Sequence, residues 1–132
     1  MRGLFSAGFF DVMLERGIAF DMVVGVSAGA AFGCNYKSGQ VGRSVRYNKL
    51  MAKNKQYCSV RSLLTTGNLF NAEFAYHYVP MNIDIFDGEA FAANPTEFHL
   101  VCTDVETGKA VYKRLDKVDY EALEWIRASA SM

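Results

Sequence analysis

The segment from Met22 to Gly33 restricts most strongly what this chain can fold into. Met22 to Val26 is a short, largely β-branched run without a polar face, which is typical of a strand covered on both sides in a parallel sheet. The residues after Ser27 are mostly Ala and Gly, and they predict a helix packed closely against that strand. Because a strand, a sharp turn and a helix meet at Ser27, we expect an α/β fold.

Other elements follow from apolar spacing and from turn residues. The pattern predicts a buried helix over Leu4 to Glu15 that Gly17 ends, and an amphipathic basic helix over Gln40 to Lys55. Further along we expect irregular structure over Tyr57 to Phe70, with a turn at Thr65 to Asn68. A short helix is predicted over Ala72 to Tyr78, which Asn71 caps and Pro80 stops. Two predicted strands, Phe98–Thr103 and Ala110–Lys113, are joined by a hairpin turn at Val105–Gly108, and a helix is predicted over Asp119 to Ala128.

Composition predicts a single domain over residues 1–132, with 51% apolar residues. The 14 basic residues balance the 14 acidic ones, which argues against nucleic acid as a partner. Three widely spaced cysteines outside any Cys-x-x-Cys pair predict neither disulfides nor a metal site. We expect a cytoplasmic chain without a cofactor, since it has no leader pattern and no apolar run of about 18 residues.

The balanced charge hides a basic segment from Lys37 to Arg61. It holds seven basic residues and no acidic one, interleaved with Tyr47 and Tyr57. Such a segment could rest on anionic lipid headgroups, which predicts a peripheral membrane surface over residues 37–61. A solvated helix face is the other interpretation of the same pattern.

The pentapeptide Gly25 to Gly29 has the G-x-S-x-G pattern of a nucleophile elbow. We expect Gly25 and Gly29 to remove side chains that would collide across the tight turn. The turn would expose the Ser27 hydroxyl at a helix N-terminus, where backbone N–H groups and the positive end of the dipole favour an alkoxide and a later oxyanion. Ala28 N–H is one predicted oxyanion donor, and Ser27 is the predicted nucleophile of an acyl hydrolase.

The chain resembles the patatin-like phospholipase family in its bacterial form. Four stretches carry the resemblance, which covers nearly the whole chain in the order that the family has. They are Arg2-Gly3, Gly25 to Ala30, Thr103-Asp104 and Arg127 to Ser131. The resemblance implies a three-layer α/β/α fold with a mainly parallel central sheet. It also implies a lipid or ester substrate, an oxyanion loop that includes Gly3, and a Ser-Asp dyad whose aspartate activates the serine.

The resemblance also implies a partial domain. Family members carry a run of glycines before the pair that matches Arg2-Gly3, after a first core strand, and neither precedes that pair in this sequence. Their dyad aspartate lies in an Asp-Gly-Gly or Asp-Gly-Ala motif beyond the stretch that matches Arg127 to Ser131. We therefore expect residues 1–132 alone to hydrolyse little, and the uncovered apolar surface to favour self-association.

Four residues within the chain offer alternative catalytic partners for Ser27. Asp87 precedes Gly88 and mimics the dyad motif, and Asp104 ends a predicted strand. An aspartate in either position is, however, common in turns, where its side chain bonds the backbone. His99 would complete a Ser-Asp-His order with Asp87, but it lies within a strand, and His77 lies on a tyrosine-rich helix. Structural roles are the expected ones for all four.

Two other classes of function compete with a hydrolase. A noncatalytic lipid-binding or interaction module would keep the elbow without its chemistry. A nucleotide-binding domain would need G-x-x-x-x-G-K-[ST] or G-x-G-x-x-G at a strand-to-helix turn, and neither pattern occurs at such a turn in this sequence.

Overall fold

The computed structural model describes residues 3–54, 57–58, 67 and 70–131, and over these ranges the fold is α/β. The strands are β1 (Met22–Val26), β2 (Glu97–Thr103) and β3 (Ala110–Arg114). The helices are α1 (Gly3–Glu15), α2 (Ala28–Lys37), α3 (Arg43–Lys53), α4 (Phe74–Ile83, a π-helix), α5 (Gly88–Ala93) and α6 (Tyr120–Ala130).

The sheet has the order β1-β2-β3 and is mixed. β1 and β2 are parallel with Val26 opposite Val101, whereas β2 and β3 form an antiparallel hairpin. In the turn of that hairpin Gly108 has a φ of 67°, which confirms the predicted positive φ. The parallel pair places the carboxyl ends of β1 and β2 at one edge of the sheet, so the turn after β1 lies beside the end of β2.

The core forms where α2 and α6 pack on one face of the sheet. Phe98 and Leu100 of β2 are fully buried against Ala30 of α2 and Ile126 of α6. A Cβ built on Gly33 would lie 3.0 Å from the Phe98 ring. The small residues of α2 therefore allow the close packing that the sequence predicts.

Two exposure predictions are wrong for the described residues. α1 is not a buried helix: Ala7 is its one buried residue, and Phe5 is 87% exposed. The reason is that α1 packs only on the side that meets α2 and α3. In β1, Val24 and Val26 are more than half exposed, because α2 and α6 cover only the face that carries Val23 and Gly25.

Helix ends follow local chemistry except at Pro80. Gly17 ends α1 as predicted, with a φ of 64°. Asn71 Oδ1 accepts a hydrogen bond from Phe74 N at 2.9 Å, which confirms the predicted cap. The helix does not stop before Pro80 but continues to Ile83 with π-type bonds, such as Asp84 N to Val79 O at 3.0 Å. In an α-helix the proline ring would clash with the carbonyl group four residues earlier. The wider π turn moves that carbonyl away from the ring, so the helix can continue.

α3 begins at Arg43, later than predicted, because Gly39 and Gly42 adopt positive φ values before it. The segment predicted to be irregular, 57–70, lies mostly outside the described residues. Within it Cys58 forms an isolated antiparallel bridge with Phe70. Of the predicted Thr65 to Asn68 turn, only Gly67 is described, with a φ of 76°.

A small polar cluster joins α4 to α6. The buried His77 ring lies 2.6 Å through Nε2 from Glu124 Oε1 and stacks on Tyr120. Arg127 donates to the same carboxylate. These bonds hold the pKa of Glu124 below its usual range. The bonds from Arg127 have the larger effect, and the bond to His77 comes second.

We expect Glu124→Gln to destabilise the fold at pH 7 by up to about 1 kcal/mol. A carboxyl with a depressed folded-state pKa stabilises above its unfolded pKa, and this contribution is lost as the pH falls through the folded value. The difference in the free energy of unfolding between Glu124→Gln and the unmodified protein should therefore shrink below pH 4.5, the ordinary pKa of this group. Urea denaturation at several pH values measures it.

Glu106→Gln, in the exposed β2–β3 turn, is the matched control, with an expected change within about 0.5 kcal/mol at all pH values. A Glu124→Gln effect that is independent of pH would contradict the assignment of this carboxylate as an ionised partner of Arg127.

Candidate active site

Ser27 lies in a strained turn between β1 and α2. Its φ is 54° and its ψ is −122°, and it is the one non-glycine residue of the described chain with a positive φ. These angles match the first central position of a type II′ turn, which glycine usually occupies. A backbone of this kind costs about 1–3 kcal/mol, and such strain clusters at functional sites.

Gly25 makes this turn possible for a steric reason. A Cβ built on Gly25 would lie 2.6 Å from Ala30 Cα and 2.6 Å from Gly29 O, so β1 and α2 approach too closely for any side chain at position 25. Gly29 differs, since among the described residues no heavy atom lies within 4 Å of a Cβ built there. The collision predicted at Gly29 is therefore wrong, because residue 29 already belongs to α2 and faces away from β1.

The Ser27 hydroxyl is exposed and not used as a helix cap. Ser27 holds the N-cap position of α2, yet in the described part of the chain its side chain makes no capping hydrogen bond. Ala30 N and Ala31 N bond to the Ser27 carbonyl, which fixes the backbone and leaves the hydroxyl at the positive end of the helix.

The two predicted oxyanion residues lie side by side. A Cβ built on Gly3 would be 2.7 Å from Ala28 Cβ, so the first residue of α1 touches the first residue of α2. The first N–H groups of a helix lack acceptors within that helix. The N-terminus of α2, which lies against Gly3, therefore favours negative charge beside Ser27.

Ser129 joins the site from α6, a contact that sequence reasoning missed. Its Oγ accepts a hydrogen bond from Ser27 N at 3.0 Å and donates to Val101 O at 2.6 Å. The sequence signal for this contact is the Arg127 to Ser131 stretch, which resembles the family but does not indicate a contact with Ser27. Its contacts depend on how α6 packs on the sheet, which periodicity does not specify.

The alternative carboxylates are engaged in local structure. Asp87 caps α5, its Oδ1 accepting from Ala90 N at 2.8 Å. Asp104 Oδ1 accepts from Thr107 N at 2.8 Å and from the Thr107 hydroxyl at 2.9 Å, and these bonds lower the pKa of Asp104. The cap and turn chemistry expected for both residues is present.

The two histidines also have other partners. His99 lies within β2, opposite Val24, and its Nε2 is 3.1 Å from Glu97 Oε2. His77 bonds to Glu124, as described above. Neither ring forms a hydrogen bond with Ser27 among the described residues, so a Ser27-Asp87-His99 triad has no support in this geometry.

The basic segment is less available to a lipid surface than the sequence predicts. Lys37 is buried and donates to Asn94 O and Thr96 O, and burial lowers its pKa. Arg43 is buried and donates to Asp84 O at 2.5 Å. The inclusion of both residues in a membrane surface is wrong, because each bonds backbone carbonyls inside the fold. Exposed cations of the segment are Arg46 and Lys49, whereas the side chains of Lys53, Lys55 and Arg61 lie outside the described residues.

The described ranges contain neither a membrane-spanning helix nor a metal-binding cluster. None of the helices there has the length and apolar character needed to cross a bilayer. No group of three or more His, Cys, Asp or Glu side chains in those ranges could hold a metal ion.

We expect Gly25→Ala to destabilise the protein by about 1–3 kcal/mol, because the new methyl group must displace the backbone of α2. Gly29→Ala is the matched control, and there a helical alanine should be neutral or stabilising by up to about 1 kcal/mol. Urea denaturation of both variants measures the difference. Equal stability of the two variants would contradict the close approach of β1 and α2.

Comparison with known proteins gives one match. A search of curated proteins finds no match. The family model described as patatin-like phospholipase matches residues 1–132, the whole of the chain. The α/β fold of the described residues is consistent with this family. The chain belongs to the patatin-like phospholipase family.

Proposed function

We propose that the chain supplies the nucleophile of a serine lipid acyl hydrolase. The observation that carries this proposal is the strained backbone of Ser27, which is paired with an exposed hydroxyl at the N-terminus of α2. Strain of this kind has no structural benefit that a glycine would not provide more cheaply. A serine at this position therefore supports a chemical role for its hydroxyl.

In the proposed reaction, Ser27 Oγ attacks the carbonyl carbon of a lipid or ester and passes its proton to an aspartate. The alcohol leaves with a proton, and water then attacks the acyl-serine to release the acid and restore the hydroxyl. The tetrahedral intermediate would place its negative oxygen near the N–H groups of Ala28 and Gly3. Two observations support this arrangement: the contact between Gly3 and Ala28 and the position of Ser27 at the positive end of α2.

The dyad aspartate is not supported at either of the two positions weighed from the sequence. Asp87 is held by a cap and Asp104 by a turn, and neither forms a hydrogen bond with Ser27 in the described chain. We therefore keep the assignment that the family resemblance implies, with the aspartate beyond the Arg127 to Ser131 stretch.

An apolar cavity beside α2 supports an apolar acyl group in the substrate. Its volume is about 140 Å³, and its lining is mostly apolar, with residues such as Ala31, Cys34, Met51 and Val79, but it also includes Arg43 and Asn48. Burial raises the pKa of the Cys34 thiol to about 12, as expected of a water-poor environment. Ala31 lies one helical turn beyond Ser27, so the cavity begins on the helix that carries the nucleophile.

Hydrolysis of a chromogenic short-chain ester by the complete product of the gene tests the proposal. We expect serine-dependent turnover, and Ser27→Ala should lower kcat by about 1,000-fold or more because no other group replaces the nucleophile. Ser6→Ala, which removes an exposed hydroxyl from α1, should leave kcat unchanged.

The competing function is a noncatalytic lipid-binding or interaction module. Lipid binding without turnover, or turnover equal in Ser27→Ala and the unmodified protein, would favour that module and contradict the hydrolase.

A further inference from the structure

Ser129 connects the candidate nucleophile to the sheet through a single buried hydroxyl. The residue lies in the last turn of α6 and is 9% exposed. Its Oγ accepts from Ser27 N at 3.0 Å and donates to Val101 O at 2.6 Å. Residues 102 positions apart in the sequence are thus joined at the turn that carries the strain.

The position of this link in the sheet explains why a hydroxyl is needed. Val26 is the last residue of β1, and it lies opposite Val101 in the parallel register. The Ser27 amide and the Val101 carbonyl therefore lie where the ladder between the strands ends. A hydroxyl can accept from the amide and donate to the carbonyl at once. Alanine could do neither, and a buried amide or carbonyl without a partner is costly.

We propose that Ser129 is a positioning residue, whose hydroxyl holds the Ser27 amide and thereby keeps the Ser27 side chain aimed for attack. The inference rests on the proposed function of Ser27 as nucleophile. Donation to Val101 O orients the Ser129 hydroxyl, so that its lone pairs face Ser27 N. Because Ser27 has an unfavourable φ, a fixed acceptor on its own N–H opposes relaxation of the turn toward an ordinary conformation.

The helix that carries Ser129 is itself held firmly. Asp119 caps α6 by accepting from Ala122 N at 3.0 Å. Leu123 and Ile126 are buried in the core, and Ala122 and Ile126 belong to the same cluster as Phe98. The acceptor for the Ser27 amide is therefore placed by the core and not by a flexible loop, as a precise catalytic geometry requires.

Ser131 provides a matched control on the same helix end. Its hydroxyl donates to Arg127 O at 2.8 Å within α6 and is exposed, so Ser131→Ala removes the same group without touching the elbow. In the complete gene product, Ser129→Ala should lower kcat for ester hydrolysis by about 10- to 100-fold, the scale expected for a small misplacement of a reacting group. KM should change by less than about twofold, since the substrate-binding surface is unaltered. Ser131→Ala should leave both constants unchanged.

Hydrogen exchange of the Ser27 amide, followed by NMR, gives a readout that does not need catalysis. We expect faster exchange at Ser27 in Ser129→Ala than in Ser131→Ala, while amides in the middle of β2 exchange alike in both variants. Equal exchange at Ser27 in the two variants would overturn the positioning role even if the protein is active. An unchanged kcat in Ser129→Ala would overturn it as well. So would a loss of kcat accompanied by faster exchange of all core amides, because the variant would then be destabilised as a whole.

These readouts separate the two levels of the proposal. If the unmodified protein shows no serine-dependent turnover, the proposed function fails. Faster Ser27 exchange in Ser129→Ala would then still support the hydroxyl as the group that holds the turn.

Discussion

The close approach of β1 and α2 at Gly25 is the contact on which the rest of the site depends. With a Cβ at position 25 only 2.6 Å from Ala30 Cα and N, the strand and the helix come together more tightly than side chains allow. The chain must therefore reverse direction within very few residues, and Ser27 takes the positive φ at that reversal. The positive φ places the Ser27 side chain at the N-terminus of α2, where the residue is exposed. The strain at Ser27 thus accompanies the tight packing of β1 on α2.

Local sequence was sufficient where local chemistry decides. The short run before Gly25 predicted β1, and the Ala- and Gly-rich stretch predicted the close packing of α2 that Ala30 now shows. Gly108 and Asn71 act in their turn and cap as predicted, because positive φ and a capping amide depend on a few neighbouring residues. The tight turn at Ser27 belongs only partly to the same class, since Gly25 meets a steric requirement there and Gly29 does not.

Features that depend on distant partners could not be predicted. The basic pattern predicts surface charge at Lys37 and Arg43, yet both are buried and donate to backbone carbonyls of residues far along the chain. Pro80 is predicted to end a helix, which instead continues with π-type bonds. Ser129 was part of a recognised stretch, but its role needs α6 to lie against the end of β2. In each case tertiary packing, which periodicity does not encode, decides the outcome.

The central claim is that Ser27 is an activated nucleophile and not an ordinary exposed serine. A fluorophosphonate probe reacts with an activated serine, and mass spectrometry of the tryptic digest locates the adduct. The peptide of residues 17–37 is well suited to this, because Ser27 is its only serine. We predict that the adduct lies on Ser27 and is lost after heat denaturation of the protein before labelling. Recovery of this peptide without the adduct, from the folded complete gene product incubated with excess probe, would contradict the account.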